Sequence, residues 1–255
     1  MKPVPLKRII EHCDRRLRPE NYKDYDRAWN GLQVENDGTV RRIAAAVDAS
    51  KATVDLALAA KADLLLVHHG LFWNGTVPWT GRRYQLLRRL IEGNLAVYSQ
   101  HLPLDGHATL GNAAQLARAL GFRSTKPFFE HHSQHLGVSV RLPRPMDREE
   151  LGRNLSKVLG ATPVLLRGGA ATCRHIGICT GGAGSELAQA AREGVDTFIS
   201  GEGPHWSHGL AEDLGLNVFL GGHYATETFG VRALAAELSE TFGIEWTFLD
   251  HPSGL

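Results

Sequence analysis

A strand, helix and strand follow one another with little linker between Ile43 and Val67, and this arrangement constrains the fold more than any other stretch of the chain. Ile43 to Val47 reads as a buried strand. Ser50 stands where a helix N-cap belongs, and Val54, Ala57, Leu58 and Lys61 recur at helical spacing, predicting a helix from about Ser50 to Lys61. Asp63 to Val67 then supplies a second apolar run. Two strands joined by a crossover helix are parallel, and such units build α/β sheets whose ligands collect at the carboxyl ends of the strands.

A similar pattern begins at Ile176, with a strand, the turn Thr180-Gly-Gly-Ala-Gly-Ser185, an Ala-rich helix from about Ser185 to Arg192 and a strand from Val195 to Ser200. A shift of 133 residues lays Ile43 on Ile176, Ala57 on Ala190 and His69 on Glu202. Each half continues to a further short strand, Leu95 to Ser99 and Leu216 to Leu220. The expected fold is therefore α/β, with two similar halves built on pseudo-duplicated βαβ units. The segment 125–135 breaks both periodicities and reads as the connection between them. This places one domain over residues 1–125 plus about 217–255, and the second over about 126–216. The glycine-rich turn lacks the spacing of a dinucleotide fingerprint and is expected to serve as a tight strand-to-helix turn.

Chemistry-bearing residues sit where strands end. Leu64 to Val67 runs into His68 and His69, Ala96 to Ser99 precedes His101-Leu-Pro-Leu-Asp105, and Leu216 to Leu220 precedes His223 and Glu227. A helix starting near His223 puts His223 and Glu227 at i and i+4, on one face. His68 and His69 are adjacent in a strand and should point to opposite faces, so they serve one site only if the chain leaves the strand there or if two ions are bound. Three imidazoles, His68, His69 and His223, and two carboxylates, Asp105 and Glu227, exceed the four ligands of a structural zinc and suit two ions sharing a carboxylate. Such a pair activates water and stabilises developing negative charge. His131, His132 and His135 fall in the expected connection and read as solvent-facing, as do Arg82 and Arg83, which alternatively contact phosphate.

Function classes are narrowed by the bulk numbers. Lys and Arg total 28 against 27 Asp and Glu, so no basic field for duplex nucleic acid is present. Three cysteines, Cys13, Cys173 and Cys179, show no zinc-ligand spacing and fit a reducing, cytoplasmic setting. Neither a signal peptide nor a membrane span is expected.

Asn30-Gly-Leu-Gln-Val34, His68-His-Gly-Leu-Phe-Trp73, His101-Leu-Pro-Leu-Asp105, Ser200-Gly-Glu202 and Gly222-His-Tyr-Ala-Thr-Glu227 occur in the order and spacing of one family. The chain resembles the GTP cyclohydrolase I type 2-like proteins, also named for the NGG-one-interacting factor three, in their short bacterial form. The resemblance covers nearly the whole chain. It implies a dinuclear site with ligands at His68, His69, Asp105, His223 and Glu227, Glu227 bridging two divalent ions of iron, zinc or manganese. It further implies a toroidal homohexamer and a small nucleotide-like substrate whose purine ring is opened by hydrolysis, with Glu202 or His101 managing protons. Gly203-Pro-His-Trp-Ser-His208 departs from the family pattern, which leaves roles for His205 and His208 unassigned. Two other expectations use the same ligands: a ring-shaped metal-binding or regulatory protein without turnover, and a phosphoesterase or amidohydrolase.

Overall fold

The computed structural model describes residues 2–73 and 77–255, which form two units, 1–104 with 230–251 and 105–229 with 252–255. In chain order the first stretch comprises β1 (Val4–Pro5), α1 (Leu6–Leu17), β2 (Gly31–Val34), β3 (Thr39–Val40), β4 (Arg42–Asp48), α2 (Lys51–Ala59) and β5 (Leu64–His69). It continues through α3 (Arg82–Glu92), β6 (Ala96–Ser99) and α4 (Leu102–Asp105). Beyond these come α5 (Asn112–Ala119), β7 (Lys126–His131), β8 (Gln134–Asp147), α6 (Arg148–Leu159), β9 (Val164–Arg167) and β10 (Thr172–Ile178). The chain closes with α7 (Leu187–Arg192), β11 (Thr197–Ser200), α8 (Ser207–Leu214), β12 (Asn217–Leu220), α9 (His223–Phe242) and β13 (Glu245–Phe248). Among the described residues no helix is long and apolar enough to cross a membrane.

The first unit holds a five-stranded sheet in the order β13-β4-β5-β6-β2. Strands β13, β4, β5 and β6 run parallel, and β2 is antiparallel at one edge. Ala44, Ala46, Leu65, Val67 and Val97 pack with Val54 and Ala57 of α2 and Leu90 of α3. Their alternates Ile43, Ala45, Leu64 and Leu66 are also buried. Burial on both faces accounts for the continuous apolar runs, which show no alternation. Ser50 caps α2 as its sequence suggests: its hydroxyl accepts from the Thr53 N–H, and the Thr53 hydroxyl accepts from the Ser50 N–H.

In the second unit the order is β7-β8-β10-β11-β12-β9, with a parallel centre of β10, β11 and β12. Ile176, Ile178, Ile199 and Phe219 pack against Leu151 and Leu155 of α6 and Leu116 of α5. Register ties the two βαβ units to the sequence pattern. Ile43 pairs with Leu64 in the first sheet and, at the same offset, Ile176 pairs with Thr197 in the second.

Two local expectations are corrected. Residues 126–135 are no connection: β7 and β8 form a hairpin in which Glu130 pairs with His135 and His131 with Gln134. Its turn residues His132 and Ser133 have φ of 47° and 67°. A two-residue turn of this kind ordinarily carries Asn-Gly or Asp-Gly, and without that signal the hairpin reads as loop. The second correction concerns β5, which does not stop at Val67 but includes both histidines.

Candidate metal centre

Three imidazoles converge in the first unit. His68 and His69 come from the end of β5, and His101 stands between β6 and α4. One ring nitrogen from each lies within 4.8 Å of the others. The ring centroids of His68 and His69 are 4.7 Å apart, although both residues belong to a strand, and each lies 5.0 to 5.6 Å from that of His101. The rings meet although both residues lie within β5, and the His69 carbonyl still accepts from the N–H of Ala49, the residue after the neighbouring strand β4.

Every one of these rings is held through Nδ1. His68 Nδ1 donates to the Gln100 carbonyl at 3.0 Å, His69 Nδ1 to Asp48 Oδ1 at 2.8 Å and His101 Nδ1 to Asp24 Oδ1 at 2.8 Å. Carbonyls and carboxylates only accept, so Nδ1 carries the proton and Nε2 is the atom with a lone pair to offer. Protein metal sites orient ligating histidines in the same way. Asp24 is itself braced by Asn30 Nδ2 at 2.8 Å and by the backbone N–H of Tyr25 and Leu102. Burial pushes the Asp24 carboxyl up, but the hydrogen bond and charge of His101, together with the hydrogen bonds from Asn30 and Tyr25, outweigh it, and its pKa falls below the ordinary value. Asn30 also accepts from the His101 N–H at 2.7 Å, which gives the Asn30 motif a physical role.

The second unit carries a related arrangement in the first turn of α9. His223 Nδ1 bonds Glu202 Oε1 at 2.9 Å, and its Nε2 lies 3.2 Å from Glu227 Oε2. Glu227 is buried. Its carboxylate, with help from Glu202, raises the His223 pKa to about 9 against the opposing effect of burial. The pair thus favours positive charge between Nε2 and Oε2, and in the metal-free chain a proton meets that demand. Asp105 accepts from Asn112 Nδ2 at 2.8 Å.

The glycine-rich turn after β10 shapes this second group. Gly181 has φ of 66°, and a Cβ there would collide with the Glu227 carboxylate. The Gly181 carbonyl accepts from the N–H groups of Gly201 and Glu202, and its own N–H donates to the Thr226 hydroxyl. The turn therefore fixes the backbone that presents Glu202 and leaves room for Glu227.

These donors suit a borderline divalent ion: imidazole nitrogens with preset tautomers, a buried carboxylate and no thiolate. Cys13, Cys173 and Cys179 are buried thiols outside either group. His131 and His132 stack edge to face at 4.5 Å on their hairpin and belong to no ligand group found among the described residues. The family resemblance implies proton transfer for His101; the structure gives it the same Nδ1 anchoring as His68 and His69. Glu202 is found on the back of His223. Sequence reasoning misses Asp24 and Asp48. Asp48 is legible in principle, since it ends β4 and pairs in register with His69, whereas nothing local marks Asp24.

Residues 4–253 match the model of the Duf34/NIF3 (NGG1p interacting factor 3) family. The chain belongs to this family. A relative from Halobacterium salinarum named GTP cyclohydrolase 1 type 2 homolog is 44% identical over 251 residues, covering 97% of this chain and 98% of its own. The protein of that name from Deinococcus radiodurans is 40% identical over 230 residues, covering 90% and 88%. Among solved structures, a Thermus thermophilus protein superposes with a TM-score of 0.91 at 36% identity, covering 99% of this chain and 100% of its own. Reduced HcgD from Methanocaldococcus jannaschii gives 0.86 at 26%, covering 98% and 100%. The Duf34/NIF3 α/β fold and the sequence pattern of this chain agree.

Proposed function

We propose that this Duf34/NIF3 protein is a metal-dependent hydrolase of a small nucleotide-like molecule, with hydrolytic opening of a purine ring as the specific reaction. The carrying observation is that four imidazoles, His68, His69, His101 and His223, each have Nδ1 committed to an acceptor. In this reading divalent ions of iron, zinc or manganese would be held by His68, His69 and His101 in the first unit and by Asp105, His223 and Glu227 in the second. When bound, such ions activate water and stabilise the charge that develops on the reacting carbon's substituents.

The residues of the chain do the remaining work. Asp48, Asp24 and Glu202 orient imidazoles and raise their basicity. Glu202 is half-exposed beside His223 and is the candidate to move a proton to or from solvent. The name carried by the relatives supports the choice of a purine nucleotide substrate. Assembly into a toroidal homohexamer belongs to the same proposal.

The test is turnover of GTP and a panel of nucleotides by metal-loaded protein prepared without oxygen. Activity lost in His69→Ala and restored to the chelated wild type on reloading is the expected result. Turnover no greater than in His69→Ala would overturn the proposal. A large loss of structure on chelation without turnover would favour a metal-binding or regulatory role instead.

A further inference from the structure

We infer that the cavity at the carboxyl end of β4 and β5 binds a planar aromatic heterocycle carrying an anionic group, with the ring against tryptophan and the anion at arginine. The cavity encloses about 560 Å³, within the size range of small-molecule sites. Ala49 and Gly70, the residues immediately after Asp48 and His69, both line it, so it opens beside the imidazole cluster. Open α/β sheets place their ligands at this end of the strands.

Its walls are chemically selective. Trp29, Phe72 and Trp79 supply aromatic surface, and Arg27 and Arg83 supply the positive charge. Trp29 is 63% exposed and Trp79 37%, an unusual outlay of large aromatic surface toward solvent for residues facing one hollow. Phe72 and Trp79 meet edge to face with centroids 5.9 Å apart, which fixes one aromatic wall. Asp26, the one carboxylate among the lining residues, is an acceptor for a ring N–H or amino group.

The cavity is also braced from behind. Gln33 donates through Nε2 to the Trp29 carbonyl at 2.8 Å and accepts through Oε1 from the Leu71 N–H at 2.6 Å. One amide thus ties the Trp29 segment to the segment that follows His69. A Cβ on Gly70 would strike that amide, so a larger residue there would push the Gln33 side chain aside and loosen the tie. Arg83 lies in the first turn of α3, a turn with no acidic residue, where the helix dipole adds to its attraction for an anion. Ring stacking with a nearby arginine pair is the chemistry that recognises a nucleotide.

As a substrate subsite the cavity rests on the hydrolase reading; as a binding site it does not. The test measures equilibrium dialysis of labelled GTP against the full-length, metal-loaded protein and against His223→Ala, whose change lies outside the cavity lining. Guanosine and inorganic triphosphate serve as separate probes of ring and anion.

Saturable GTP binding in both proteins is expected, weakened about tenfold or more by Trp29→Ala and by Arg83→Ala, in line with the loss of one stacking or charge contact. Trp29→Phe should retain most of the affinity, and guanosine and triphosphate should each bind more weakly than GTP. Thermal melts of the variants verify folding, and Trp29 and Arg83 are exposed enough to be replaced without loss of structure. Absence of saturable GTP binding, or equal affinity in wild type, Trp29→Ala and Arg83→Ala, would overturn the inference. GTP binding without any turnover would leave the cavity assigned and remove the hydrolase reading; turnover with unaltered affinity in both variants would do the reverse.

Discussion

Asp48 and His69 are register partners at the ends of neighbouring parallel strands, and Asp48 Oδ1 accepts from His69 Nδ1 at 2.8 Å. The sheet itself therefore sets the tautomer of a candidate metal-binding histidine. Asp48→Asn retains the size of the side chain but replaces the carboxylate. It should lower metal affinity about 10- to 100-fold, the usual effect of losing an orienting partner, with little change in melting temperature. Titration with a competing chelator measures it. Unchanged affinity would show that the Asp48 carboxylate has no part in holding the ion.

Asp24 predicts a different outcome, because it accepts from Asn30, Tyr25 and Leu102 as well as His101. Asp24→Ala should weaken metal binding and also cost about 1 to 3 kcal/mol of stability, through the part-buried donors of Asn30, His101 and Leu102 that it strands. Urea unfolding of metal-free protein isolates the second effect. A metal-free variant as stable as the wild type would contradict it.

Gly181 and Gly194 form a matched pair. Both have positive φ, 66° and 81°, but a Cβ at Gly181 meets the Glu227 carboxylate while one at Gly194 meets open space. Gly194→Ala should cost about 1 kcal/mol, the strain of a left-handed residue, and leave metal binding unchanged. Gly181→Ala should cost more, on the order of 1 to 3 kcal/mol, and disturb metal binding by displacing Glu227. Equal effects at the two positions would remove the argument for a shaped turn.

The His223 pair fixes a pH dependence for the metal-free chain. Its pKa is raised from 6.5 to about 9, chiefly by Glu227. The stabilisation from protonated His223 is fully present below about pH 6.5 and is lost as the pH rises through about 9. Chelated protein should become less stable across this window. Metal loading should oppose the trend, since the ion displaces the same proton, and proton release on metal addition should be measurable below pH 9. Chelated stability that is flat or rising from pH 6.5 to 9 would contradict the assignment.

Much of the fold is readable because its strands are buried on both faces and leave apolar runs such as Leu64 to Val67. The Ser50 cap and the i, i+4 spacing of His223 and Glu227 are readable for similarly local reasons. The β7 and β8 hairpin is not, since His132 and Ser133 adopt positive φ without the glycine that announces such a turn. The orienting carboxylates are hidden more deeply. Asp24 meets His101 across 77 positions of sequence, and only the fold brings them together.

The central claim is that His68, His69 and His101 present Nε2 to a divalent ion while Nδ1 is held by Gln100, Asp48 and Asp24. Anomalous diffraction from zinc-loaded crystals tests it directly. The account predicts a peak about 2.0 to 2.1 Å from the Nε2 atoms of these rings, with the Nδ1 bonds intact. Ligation through Nδ1, or a zinc-loaded crystal with no anomalous peak beside these histidines, would contradict it.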